Sequence, residues 1–175
     1  MFSSAAYRLK NLPRLIKNRF NPSHGPMDHF GIEPGMHVVE LACGPGLAIQ
    51  KASRLVGDEG LVSALDESPF AIEAVNERAF RKGLQNVMGR LIIENIFPLD
   101  DQSVDMLFRL WPLQPMENAN AILSESHRVL SPEGHLFLHV APPSTQSLGR
   151  LITDSGLFIL DGVVGGCLRC RPRLF

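Results

Sequence analysis

Several large classes of protein are excluded by what this 175-residue sequence has little of. Three cysteines, an odd number, build no disulfide framework, and a reducing compartment such as the cytoplasm is the expected setting. One CxxC, Cys167-Leu-Arg-Cys170, has no second cysteine pair to complete four zinc ligands. In the strand expected there, its two thiols would point to opposite faces, so no metal is expected. No window approaches the roughly 20 consecutive apolar residues that a membrane-spanning helix needs. Acidic side chains are missing altogether from residues 1–27, which hold five of the 17 basic ones (Arg8, Lys10, Arg14, Lys17 and Arg19). The remainder then carries 12 basic against 18 acidic side chains, a net −6. A body of that sign lacks the broad basic face of a nucleic-acid enzyme, and no nucleic-acid partner is expected.

What is present is a globular composition, 45 % hydrophobic and 20 % charged, long enough for one domain with a substantial core. The most informative stretch is Val39-Glu-Leu-Ala-Cys-Gly-Pro-Gly46. An apolar run from His37 reaches an acid, breaks into a glycine turn and gives way to Ile49, Ala52, Leu55 and Val56 at helical spacing. Glycines let backbone approach a ligand closely, and a helix start offers free N–H groups. Glu40, at the strand end, faces the same crevice. One acid beside an uncharged glycine floor suits a nucleoside-like ligand that carries a positive group. The fuller G-x-G-x-x-G of nicotinamide-dependent dehydrogenases is missing, because position 49 is Ile.

Strands and helices alternate along the chain, which argues for a mostly parallel sheet covered on both faces. Leu61 to Leu65 reads as a strand ended by Asp66. Ser68 and Pro69 then stand as N-cap and first residue of a helix that runs to about Lys82 and is stopped by Gly83. Further strands are expected at Val87 to Ile93 and Val104 to Leu110, and a helix at Glu117 to Leu130. Pro132-Glu133-Gly134 turns the chain into a fifth strand, Leu136 to Val140, followed by a helix from Thr145 to Ser155. Leu157 to Val163 and Cys167 to Leu174, separated by Val164-Gly165-Gly166, form a hairpin, the one antiparallel element. The expected class is α/β, Rossmann-like, with helices on both faces of the sheet.

At the N-terminus Ala5, Leu9, Leu12, Ile16 and Phe20 recur at helical spacing, with the five basic residues on the remaining surface. Residues 1–27 read as a basic amphipathic helix and loop, serving as a lid or an edge helix; residues 28–175 form the main domain. The same segment suits contact with a membrane surface through residues 5–20, or an organellar import signal.

In an open parallel sheet, ligands sit outside the carboxyl ends of the strands. That rule selects Glu40, Asp66, Glu94 with Asn95, and Arg109 to Trp111. Asp66 lies about 20 residues past the glycine turn, where an acid accepts two hydrogen bonds from a ribose diol; it could equally cap the helix that follows. Arg109 reads either as the ion-pair partner of a neighbouring strand-end acid or as the holder of a ligand carboxylate.

Four segments, in order, carry a resemblance: Gly35-Met-His-Val-Val-Glu-Leu-Ala-Cys-Gly-Pro-Gly46, Leu65-Asp-Glu-Ser68, Phe97-Pro-Leu-Asp-Asp-Gln-Ser-Val-Asp105 and Arg128-Val-Leu-Ser-Pro-Glu-Gly-His-Leu-Phe137. In them the chain resembles the class I S-adenosylmethionine-dependent methyltransferases, in particular the small-molecule group that includes the ubiquinone/menaquinone-type enzymes. The resemblance implies a seven-stranded sheet with a reversed final strand, and S-adenosylmethionine as cofactor. It implies that Glu40 and the turn Ala42, Cys43, Gly44, Pro45 and Gly46 hold the methionine part. Asp66, with Glu67 beside it, would hold the ribose. Glu94, Asn95 and Ile96 would border the adenine, and the backbone around Arg109 and Leu110 would meet the methionyl end. Departures from the family pattern are Ala42 where a first glycine is frequent, Glu133 in place of one glycine of a Pro-Gly-Gly turn, and Leu113-Gln114 where relatives often show Leu-His. Glu94 stands four residues before Pro98, one closer than the pattern.

Methyl transfer needs alignment of nucleophile, methyl and sulfur more than covalent help. A general base is required only for a weakly acidic acceptor. His139, His24, His29 and Tyr7 are candidates, and no catalytic residue is assigned among them. The expected function is methylation of a small organic acceptor on oxygen or carbon, since the Asp/Asn-Pro-Pro-aromatic motif of nucleobase amino-methylating relatives is absent after the fourth strand. The alternative is a non-catalytic cofactor-binding subunit that scaffolds a partner enzyme, which the shortness of the chain favours.

Overall fold

A computed structural model describes residues 25–110, 118–139 and 145–175. The expected N-terminal helix, Trp111 to Glu117 and the loop from Val140 to Ser144 lie outside the described residues. A 3-10 turn, Gly25–His29, leads into β1 (His37–Leu41), α1 (Ile49–Val56), β2 (Leu61–Asp66), α2 (Pro69–Lys82) and β3 (Val87–Leu91). After these come β4 (Val104–Arg109), α3 (Ala119–Val129), β5 (Leu130–His139), α4 (Thr145–Asp154), β6 (Phe158–Val164) and β7 (Cys167–Pro172). The strands form one sheet in the order β3-β2-β1-β4-β5-β7-β6. All neighbours are parallel except that β7 runs antiparallel to both β5 and β6. The chain is therefore α/β and Rossmann-like, with the single reversed strand that the resemblance implied.

Near-continuous apolar runs form the central strands because both faces of the sheet are covered. One face packs Val39, Leu107, Leu136 and Leu138 against Ile122 and Val129 of α3 and Leu148 and Ile152 of α4. The other packs Val38, Met106, Phe108 and Phe137 against Ala52 and Val56 of α1 and Met27 and Phe30 of the 3-10 turn. Phe30 stacks on Phe137 with ring centroids 4.1 Å apart, and burying such a ring contributes roughly 1.5–3 kcal/mol. Cys167 joins the second face and Cys170 the first, as residues three apart in a strand must.

Two expected strands have clearly different bounds. The fifth strand begins at Leu130, six residues before the expected Leu136, because Pro132-Glu133-Gly134 is taken up as a bulge and not as a turn. Pairing passes from Val104↔Leu130 to Met106↔His135, so β5 advances five residues while β4 advances two. Pro132, which has no N–H to donate, is tolerated at such a bulge. A Cβ on Gly134 would sit 2.9 Å from the Val104 carbonyl oxygen, so the backbone approach demands glycine there. The third strand stops at Leu91, short of Ile93. Ile93 and Ile96 bridge one another instead, around Glu94 (φ +52°) and Asn95 (φ +65°), two left-handed residues of the kind a tight mirror-image turn requires. A 3-10 turn, Gly25–His29, begins inside the loop expected to end at Pro26. The C-terminal hairpin forms as expected, closed by Gly165 and Gly166 at φ +57° and +78°.

Candidate functional site

The order of strands reverses between β1 and β4, so the crevice above their carboxyl ends is where such a fold receives a ligand. Glu40, one residue from the end of β1, registers with Ala64 of β2 on one side and Phe108 of β4 on the other. The pleat puts it on the Val38 face, and it is only 2 % exposed. Its Oε2 has no hydrogen-bond donor. A buried carboxylate with a donorless oxygen is costly as an anion, so desolvation, assisted by the charge of Asp66, pushes its pKa up to about 8.

The turn that follows alternates left-handed residues: Ala42 at φ +54°, Gly44 at +55° and Gly46 at +67°. Its shape is held from three directions. The Cys43 N–H donates to the Leu65 carbonyl at 3.0 Å, the Gly44 N–H to Asp66 Oδ2 at 2.9 Å, and Arg78 Nε of α2 to the Pro45 carbonyl at 3.1 Å. Asp66 also accepts the Ser68 N–H on Oδ1 at 2.9 Å, and its own carbonyl accepts the Ile92 N–H. Asp66 therefore ties the ends of β1, β2 and β3 together. Its bond to the Ser68 N–H braces the start of α2, where Ser68, read as the N-cap, makes no side-chain cap bond. Each Asp66 oxygen nonetheless keeps lone-pair capacity, since a carboxylate offers about four acceptor sites.

Gly46 departs from its expected role. A Cβ there would lie 2.9 Å from Val75 Cγ2, so this glycine admits α2 against the turn. Cys43 is buried, and burial first, then the charges of Glu40 and Asp66, raise its thiol pKa well above the ordinary value, which leaves no thiolate for chemistry.

The structure brings Glu40, Ala42, Cys43, Gly44, Pro45 and Asp66 together at the rim. Glu67, next to Asp66, is exposed. Glu94, Asn95 and Ile96 form the turn beyond β3, with Ile93 63 % and Ile96 59 % exposed, an uncovered apolar edge beside the Asp66 end. Arg109 ends β4 opposite Leu138, and Leu110 is buried in the cluster that contains Phe108. Among the base candidates, His139 ends β5 opposite Cys167, His29 is exposed at the end of the 3-10 turn, and Tyr7 and His24 lie outside the described residues. His127 is structural: Nε2 meets the Arg173 carbonyl at 2.9 Å, and the ring sits edge-on to Phe158.

Two side chains passed over by sequence reasoning brace the fold around the site. Arg78 is one. The other is Glu125, clasped by Arg128 of the same helix through Nε to Oε1 at 2.7 Å and Nη2 to Oε2 at 2.6 Å. Arg128 also donates to the carbonyls of Phe97 and Leu99 and to Asp101, and Glu125 accepts the Phe97 N–H. The hydrogen bonds from Arg128 hold the Glu125 pKa below the usual carboxylate range. The segment from Phe97 to Asp101 and helix α3 are thus locked together, which explains why both belong to the pattern. The i, i+3 spacing of an acid and an arginine was the available signal.

A protein-family profile described as "Methyltransferase domain" matches residues 32–154. The ubiquinone/menaquinone biosynthesis C-methyltransferase UbiE of Shewanella pealeana is 31 % identical over 125 residues, 71 % of this chain and 50 % of that protein. The chain spans about half the length of the curated relatives it matches. A SAM-dependent methyltransferase from Aquifex aeolicus superposes with a TM-score of 0.78 at 23 % identity, covering 98 % of this chain and 97 % of that one. Geranyl diphosphate C-methyltransferase from Streptomyces coelicolor A3(2), solved with Mg2+, geranyl diphosphate and S-adenosyl-L-homocysteine, superposes with a TM-score of 0.68 at 17 % identity, covering 90 % and 68 %. At those identities the two structures speak to the fold.

Proposed function

We propose that this chain, which belongs to the methyltransferase domain family, transfers a methyl group from S-adenosylmethionine to a small organic acceptor, on oxygen or carbon. The observation that carries the reading is the donorless buried oxygen of Glu40 above a left-handed turn, flanked by the part-exposed carboxylate of Asp66. These residues fit the cofactor. A buried carboxyl oxygen with no donor suits a cationic group, and the acceptor capacity left on Asp66 suits a ribose diol.

When bound, the cofactor supplies a methyl group on positively charged sulfur, which is already a good leaving group. The work of the chain is then to bind, orient and exclude water. Glu40 offsets positive charge in a dry floor where such an interaction is stronger than in water. The turn from Ala42 to Gly46, fixed by Asp66, Leu65 and Arg78, keeps that floor in one shape without rearrangement on binding. Glu94, Asn95 and Ile96 are proposed to border the base, and Arg109 and Leu110 the methionyl end. Residues 28–175 are proposed as the methyltransferase domain of a cytoplasmic protein. Residues 1–27 are proposed as a lid or edge helix whose five basic side chains favour an anionic membrane surface.

The test is formation of S-adenosylhomocysteine by the purified chain with a panel of phenolic, quinol and other carbon- or oxygen-nucleophile acceptors. Acceptor-dependent product is expected. Tight cofactor binding with no turnover across the panel would replace this reading with the scaffolding one.

A further inference from the structure

Glu40 and Asp66 are two acids at the rim of one crevice, and the structure treats them differently. Asp66 has a backbone N–H on each oxygen, at 2.9 Å from Gly44 and 2.9 Å from Ser68. Glu40 is buried between β2 and β4, and its Oε2 has no donor. A carboxylate this buried, with one oxygen lacking any donor, holds its charge poorly next to a second acid, so the proton of the pair resides on Glu40.

From this asymmetry we infer that Glu40 stands in the free site as a neutral acid, and that seating the ammonium of an amino-acid-bearing nucleoside expels its proton to solvent. Glu40 thereby becomes the residue that selects charged adenosyl ligands over neutral ones. The inference rests on the cofactor reading above and deepens it. The exchange balances: one O–H bond of Glu40 breaks, the proton leaves to buffer, and the carboxylate left behind meets the ligand's positive charge. A neutral ligand provides no such compensation and leaves the proton in place.

The groups on the packed elements support this direction. From β2, Asp66 opposes ionisation of Glu40 and welcomes a cation. The Cys43 thiol, from the turn, is itself held neutral. On β4 Phe108 lies opposite Glu40, and strand alternation carries Arg109 to the other face. Arg78 of α2 is engaged with the Pro45 carbonyl, and Lys51 of α1 with Asp28 at 2.6 Å. Among the described residues, burial and Asp66 are what act on Glu40, and both favour its neutral form until a cation arrives.

Isothermal titration of the full chain with S-adenosylhomocysteine at pH 6.5, in phosphate and in imidazole buffer, reads the proton directly. At that pH the α-ammonium of the ligand, with an ordinary pKa of about 7.7–8.0, is still charged. The two enthalpies are expected to differ by the difference between the two buffers' ionisation heats, multiplied by close to one released proton. The dissociation constant is expected to improve about tenfold per pH unit between pH 6 and 7. The neutral analogue 5′-methylthioadenosine is expected to bind with a buffer-independent enthalpy, and Glu40→Gln to bind S-adenosylhomocysteine more weakly without proton release. Buffer-independent binding of S-adenosylhomocysteine to the wild-type chain overturns the inference while leaving the cofactor reading intact, as does a Gln variant that still releases the proton. Should neither adenosyl ligand bind at all, the cofactor reading fails and this inference fails with it.

Discussion

The state of Glu40 has a consequence for stability that can be worked out before any ligand is added. In the unfolded chain its pKa is the ordinary 4.5, and in the folded chain it is about 8. Between those two values the folded state holds a proton that the unfolded state has lost, so stability falls as pH rises through that window. The slope is about 1.4 kcal/mol per pH unit, which makes the accumulated loss roughly 3 kcal/mol at pH 7 and about 5 kcal/mol once pH exceeds the folded value. Glu40→Gln keeps the shape and removes the titration. Its amide N–H groups need acceptors in a buried place, which subtracts a constant of about 1–3 kcal/mol. The intercept is therefore uninformative and the slope is diagnostic. Urea unfolding at pH 5.5, 6.5 and 7.5 measures both, provided the m-values of the two proteins agree. The variant is expected to gain on the wild type by about 1.4 kcal/mol for each unit of pH. His37, whose pKa is lowered chiefly by burial, is common to both proteins and cancels in the difference. Parallel stability curves would refute the argument, because they would mean that Glu40 binds no extra proton on folding.

Two further outcomes follow, one from the turn after β1 and one from the clasp on α3. Ala42 occupies a left-handed conformation, φ +54°, that costs an L-residue roughly 1–2 kcal/mol, of which glycine's greater freedom when unfolded returns about half. Ala42→Gly should accordingly raise the melting temperature by about 2 °C, read by differential scanning calorimetry, and a lower melting temperature would show that the alanine methyl packs productively. Arg128→Met severs its five hydrogen bonds to Glu125, Phe97, Leu99 and Asp101, and should destabilise by about 2 kcal/mol while speeding amide exchange in residues 97–101. Arg128→Lys should not restore it, since an ammonium cannot reproduce the two-pronged guanidinium contact with Glu125; full rescue by lysine would reduce the clasp to a simple charge effect.

What could be read from the sequence was local, and what could not be read was a matter of which distant group meets which. The hairpin was legible because Gly165-Gly166 between two apolar runs is a turn with its own conformational signature. The helix bounded by Ser68-Pro69 and Gly83 was legible for the same reason. The bulge in β5 was not, because Pro132-Glu133-Gly134 has turn chemistry and only the pairing with Val104 and Met106 decides that the chain goes on extended. Nor could the partner of Gly46 be read, because Val75 lies 29 residues away and reaches it only once α2 has docked. That last case changes how the glycine turn should be understood. Of its two glycines in the left-handed region, Gly44 presents its N–H to Asp66 and Gly46 makes room for a helix. The motif therefore has to be kept for the fold to close, whether or not a ligand ever arrives. Its presence argues for this architecture. It is the unsatisfied oxygen of Glu40, which stabilises nothing in the free protein, that argues for a ligand.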